Sequence, residues 1–156
     1  MTLDLRRAFD AAAIADLMDR FLRAVSFECG AHPMYGDLAD LFIAAGRLIR
    51  NSGPSPEVAT VDEFVRERQR AFEAGELVSF KEAELSDATD VFGNIAHRLS
   101  PYSKRAVTST ESTETRGVIS TQFVRTRDGW RISSMAWDDE REGLEVPHAP
   151  RTSNGR

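Results

Sequence analysis

Between residues 10 and 28, apolar side chains recur at Ile14, Leu17, Met18, Phe21, Leu22 and Val25. This spacing gathers a single apolar stripe and predicts a helix. Asp16, Asp19, Arg20 and Arg23 fall between those positions and face away. Gly30 and Pro33 interrupt the pattern. A helical turn is predicted around 38–42 and a short strand over 47–50. Residues 51–56 are rich in turn formers and read as a rim loop. A second helix should open at Thr60, because Thr60-Val61-Asp62-Glu63 has the form of a capping box. Val61, Phe64, Val65, Arg68 and Phe72 share one of its faces, and Gly75 is placed to end it in the left-handed region.

Beyond Gly75 the pattern is that of strands. Residues 77–85, 91–104, 115–127 and 130–141 form four long segments of strand type. The last two are joined at Asp128-Gly129, where glycine supplies the positive φ that a tight hairpin turn requires. Residues 107–113 read as a loop or a frayed strand end. Helices followed by a run of antiparallel strands define the α+β class. The expected architecture is a cone-shaped roll: a curved antiparallel sheet of four long strands plus a short one, covered by the N-terminal helices. One domain is expected over 1–146. Residues 147–156, poor in apolar side chains, read as a flexible tail.

Composition narrows the partners more than the chemistry. A chain of 156 residues, 41% hydrophobic and 29% charged, can bury a sizeable core. Its net charge of -5 argues against a nucleic-acid surface. The basic positions Arg66, Arg68 and Arg70 are interleaved with polar and acidic residues, as on a solvated helix face. No run approaches the about 18 apolar residues that span a bilayer, and the N-terminus lacks the pattern of a signal peptide. Cys29 is the single cysteine, so no intrachain disulfide forms, which fits a reducing cytoplasm.

The order helix, short strand, capped helix and four-strand meander ending in Trp130-Arg131-Ile132-Ser133-Ser134-Met135 and then Trp137-Asp138 resembles the nuclear-transport-factor-2-like superfamily. Ketosteroid isomerases, scytalone dehydratase, polyketide cyclases and dioxygenase β subunits share that scaffold. Phe80-Lys81-Glu82-Ala83-Glu84-Leu85, Phe92-Gly93-Asn94-Ile95-Ala96-His97 and the run from Arg116 to Gln122 are most similar to an uncharacterised bacterial branch of small stand-alone domains. The resemblance spans most of residues 8–142. It implies a pocket between helices and sheet, a homodimer, no cofactor and no particular reaction, since this scaffold hosts many functions. The ketosteroid isomerases use a Tyr and a protonated Asp as oxyanion donors and a second Asp as base. At the matching places this chain offers no Tyr on the first helix, Arg50 and Asn51 on the short strand, and Ser120 and Gln122 on the central strand. The two His, two Tyr and Asp set of scytalone dehydratase is not carried over either.

The remaining candidates are few. His97 alternates with Ile95 and Leu99, so parity places it on the apolar, cavity face. It then reads as a general acid or base, or else as a core histidine with one hydrogen bond. Glu82 and Glu84 share a face of the neighbouring strand. They are either paired carboxylates, one of them an acid-base partner for His97, or a solvated face. Ser120 and Gln122, at the parity of Val118 and Val124, are expected inside as ligand-binding groups, with Tyr102 and Trp137 as pocket walls or interface anchors. Asp138, Asp139 and Glu140 lack any accompanying His or Cys ligand pattern, so no metal site is expected. Two functional readings stand. One is a non-catalytic small-molecule pocket protein of unknown ligand. The other is a cofactor-free isomerase, dehydratase or cyclase-type enzyme using His97 with Glu82 or Glu84 on a small apolar ring or carbonyl compound.

Overall fold

The computed structural model describes residues 2–147, so all but the first residue of the tail predicted over 147–156 lies outside the described residues. Thr2 accepts a hydrogen bond from the Leu5 amide at 3.4 Å and starts α1, Leu3–Val25, a full two turns earlier than the apolar stripe suggests. The helix buries Ile14, Leu17, Met18, Phe21, Ala24 and Val25. A 3-10 helix, Tyr35–Leu41, leads into strand β1, Phe42–Arg50. β2, Glu57–Thr60, follows directly on the segment read as loop, is not among the predicted elements, and pairs antiparallel with β1. Thr60 then caps α2, Val61–Glu73, by accepting from the Glu63 amide at 3.1 Å. Gly75, with φ of 73°, follows the helix end, as its position predicts.

The rest is sheet: β3, Leu77–Glu84; β4, Ala88–Phe92; β5, Ile95–Thr108; β6, Ser112–Thr126; and β7, Gly129–Asp139. Strand order is β2-β1-β7-β6-β5-β3, with β4 also on β5. The α+β architecture and curved sheet under N-terminal helices are as predicted, with differences of detail. β1 runs parallel to β7, a pairing open to strands separated by a long stretch of chain. The segment predicted as one strand over 91–104 is two, folded back at Gly93 (φ of 57°) and Asn94. β5 pairs with β4 through Leu99 and with β3 from Tyr102 onward. Pro101 sits between: its carbonyl accepts from the Leu85 amide at 2.8 Å, and its missing N–H falls at the gap where one neighbour replaces the other.

Parity within the sheet decides what faces the helices. On β5 the inner set is Ala96, Arg98, Ser100 and Tyr102; on β6 it is Ile119, Thr121 and Phe123. Buried side chains such as Phe123 and Ile132 contribute about 2 kcal/mol each by leaving water. β7 begins with Trp130 and Ile132 inward, then changes phase. Gln122 pairs with Ser134 but Phe123 with Ile132, so Ser133 is an extra residue in the ladder. That bulge turns Met135 and Trp137 toward the helices. Gly117 lies where β6 passes beneath Tyr102; a Cβ there would collide with the Tyr102 hydroxyl and the Asp138 carbonyl.

Candidate functional site

The helices and the inner face of the sheet do not close completely. A narrow hollow of about 30 Å³, enough for a single water, is walled by Phe21 and Val25 of α1, Phe64 and Arg68 of α2, Phe80 and Glu82 of β3, Lys104 of β5, Ile119 of β6, and Met135 and Trp137 of β7. Phe64, Arg68, Phe80, Lys104 and Trp137 also line a groove of about 510 Å³ that opens between α2 and strands β1, β2, β3 and β5. The hollow is therefore the deep end of that groove. Leu48, Ala59, Ala71, Leu77 and Ala106 add apolar wall, and Glu57, Glu63, Glu67 and Glu76 are acidic groups along it. Phe64 meets the Trp137 ring edge-on, with centroids 6.3 Å apart.

The charged groups of this space behave differently from one another. Glu82 is drawn among apolar walls, and burial raises its carboxyl from 4.5 to about 7 against the opposing pull of Lys104 and Arg68. Lys104 is held by Asp139, at 2.7 and 2.9 Å to its two oxygens. The Tyr102 hydroxyl donates to the same carboxylate and lies 3.3 Å from the Asp138 carbonyl. Burial and the bond to Asp139 push the Tyr102 hydroxyl far up, so it stays a donor. Arg68 projects from the apolar stripe of α2, its guanidinium 5.1 Å from the Phe64 ring and 5.2 Å from the Phe80 ring. Burial lowers its pKa, with Tyr35 and Glu82 opposing. Among the described residues Arg68 forms no salt bridge, and no group of three or more His, Cys, Asp or Glu side chains could hold a metal ion.

The structure brings some of the sequence-predicted residues together and separates others. Glu82 and Trp137 line the hollow. Tyr102 is fully buried behind it, serving Asp139 rather than forming a wall. Glu84 is spent on Arg98, which donates through Nε at 2.9 Å and through Nη2, while Thr89 and Asp87 complete the cluster. His97 is a correction: it points away from the helices, with 53% of its side chain exposed and Nε2 3.0 Å from Asp90. It shares no contact with Glu82 or Glu84 in the ion-pair network of the described residues. Ser120 and Gln122 are a second correction, both exposed on the outer face and paired across the ladder with Leu99 and His97. The physical reason is common to all three. The inner positions of β5 include Arg98 and Ser100, so a rule that sends the apolar parity inward selects the wrong face. On β6 both parities are apolar, and Ile119 and Phe123 win the core. Arg68, Lys104, Asp139 and Phe80 escaped selection as site residues. For Arg68 a signal existed, an arginine on an otherwise apolar helical stripe.

No protein-family model matches the chain, and no curated protein matches its sequence. Solved structures do. A nuclear transport factor 2 superfamily protein from Salmonella enterica serovar Typhimurium superposes with a TM-score of 0.69 at 16% identity, covering 96% of this chain and 99% of that one. An NTF2-like protein with a cystatin-like fold from Novosphingobium aromaticivorans gives 0.66 at 16% identity over 86% and 84%. A hexachlorocyclohexane dehydrochlorinase, LinA-type3, from Novosphingobium barchaimii gives 0.73 at 14% identity over 88% and 91%. The chain has the nuclear-transport-factor-2-like fold. At these identities it is the fold that is shared.

Proposed function

We propose that the protein is a small-molecule pocket protein whose ligand enters the groove beneath α2. The observation that carries this reading is the composition of the deep end: aromatic and aliphatic walls with Glu82, Arg68 and Lys104 converging on them. The neutral two-ring compound 2-naphthol is a suitable probe. Titration calorimetry should show one site, and Trp137→Ala should weaken binding about tenfold, a loss of about 1.4 kcal/mol. Ser120→Ala, on the outer face, should leave binding unchanged. Equal binding by the Trp137 variant and the wild type would move the site elsewhere.

One observation favours a second, enzymatic reading. A carboxyl near 7 is poised to take or give a proton at physiological pH. His97 has no part in it, so Glu82 would act alone as the acid-base group. The dehydrochlorinase with this fold is in keeping with a catalytic use of such a cavity.

We also propose that the protein pairs with a second copy through the outer face of the sheet. Phe92 and Ile95 are 83% and 56% exposed, and Leu99, Val118 and Val124 continue an apolar strip across β5 and β6. The exposed, unpaired Cys29 fits the reducing cytoplasm expected for such a protein. Light scattering at micromolar concentration should report a dimer, and Val118→Arg should yield a monomer. A wild-type monomer there would remove the proposal.

A further inference from the structure

We propose that the groove selects a monoanionic carboxylate carried on an apolar, ring-sized body, with Arg68 as the group that reads the charge. This rests on the pocket reading above and specifies its ligand class.

The argument is one of pairing. Arg50 lies 3.6 Å from Glu57, and Lys104 is clasped by Asp139. Among the described residues of the groove, that leaves Arg68 as the cation without a carboxylate within salt-bridge distance. Its guanidinium is set against two phenyl rings, which hold its plane and strip its water while leaving its N–H groups unspent. An arginine in that state binds a planar carboxylate through two parallel hydrogen bonds. A buried hydroxyl outside the groove's lining also stands in the field of the same guanidinium. Tyr35, from the 3-10 helix, ends in a fully buried hydroxyl with no hydrogen-bond partner, and Arg68 is the charged group that acts on it.

The acids of the groove are mostly spent, Glu57 on Arg50 and both Glu67 and Glu76 on Arg70, which leaves Glu63 without a salt bridge among the described residues. One free cation suits a single carboxylate better than a polyanion, whose further charges would go unmatched. The narrow hollow, at about 30 Å³, is too small for a ring. The body therefore lies along the open groove against Leu48, Ala106 and Trp137, and only the carboxylate reaches inward to Arg68.

The test compares 2-naphthoate with 2-naphthamide, which share shape and differ in charge, by calorimetry on the full chain below the Glu82 pKa. The expected result is a preference for the naphthoate of about tenfold or more, the scale of one charge-assisted hydrogen bond. Arg68→Gln should bring the two affinities to within about twofold while retaining naphthamide binding, and Arg68→Lys should restore part of the preference. If the Gln variant does not fold, as judged by circular dichroism, the wild-type and Lys preferences decide the matter. Equal affinities in the wild type, or a preference unchanged by Arg68→Gln, overturn the carboxylate assignment. Naphthamide binding that depends on Trp137 would then leave the pocket reading standing. If neither compound binds, both readings fall.

Discussion

Replacing Glu82 by glutamine should stabilise the protein above neutrality and do little in acid. The carboxyl is raised by burial from 4.5 to about 7 in the folded chain. Between those two values the folded state holds a proton that the unfolded state has released. Stability therefore falls as pH rises through this window and levels off once Glu82 is ionised in both states. The ionised form costs about 3 kcal/mol in the fold, from the size of the shift. Glutamine keeps the shape and never ionises, so Glu82→Gln should recover about 2 kcal/mol at pH values above the folded pKa. Below 4.5, where Glu82 is protonated in both states, the two proteins should differ little. Urea denaturation of both across that range reads the difference directly. A variant that loses stability at high pH would show that ionised Glu82 is held by Arg68 or Lys104 and that burial does not dominate. A gain on removing a charged group is also the signature of a residue retained for its chemistry, at some cost to the fold.

A loss of about 3 kcal/mol is expected for Asp10→Ala, far from the groove. Asp10, on α1, accepts from Trp130 Nε1 at 3.1 Å and from Arg125 Nη2 at 2.7 Å. The Arg125 guanidinium also lies 4.5 Å above the Trp130 ring. One carboxylate thus ties the first helix to the β6–β7 hairpin, and its removal leaves a buried indole N–H and a half-buried guanidinium without an acceptor. Burial acts to raise the Asp10 carboxyl, but the Arg125 and Trp130 bonds outweigh it and hold it below the usual value. A lowered folded pKa means the contribution is complete above 3.8 and fades as pH falls through the folded value. The gap between wild type and Asp10→Ala should therefore narrow in strong acid. Denaturation midpoints that coincide at neutral pH would show that the clasp contributes nothing.

How far the sequence could be read differs between helices and strands. Thr60 and Gly75 mark the limits of α2 through local chemistry, and the structure uses both, though among the described residues Glu63 enters the cap through its backbone amide and not its carboxylate. The stripe from Ile14 to Val25 is the buried face of α1. Strand facing is not local in this way. Whether His97 points in or out depends on a count that starts at the Gly93-Asn94 turn and on which side the helices cover. Arg98 satisfies that count from inside because Glu84 and Asp87 balance its charge and Thr89 accepts a hydrogen bond, and those partners lie on β3, on β4 and in the link between them. Trp137, read as a pocket wall or an interface anchor, faces inward only because Ser133 adds a residue to β7. Glu82 was legible as one of two carboxylates whose pairing could raise a pKa; burial as the actual cause was not, since the walls that dry it come from five separate elements.

The extra residue at Ser133 has a consequence for how such a pocket can change over generations. A single-codon deletion there would close the bulge and leave Ser134 opposite Gln122 and Met135 opposite Thr121, as they are now. Met135 and Trp137 would still look into the groove. In a ladder without a spare residue the same deletion would turn every later side chain to the other surface. The walls that β7 lends to the groove are thus buffered against the loss of one codon in this stretch, whereas an inserted codon would need a second bulge to leave them in place.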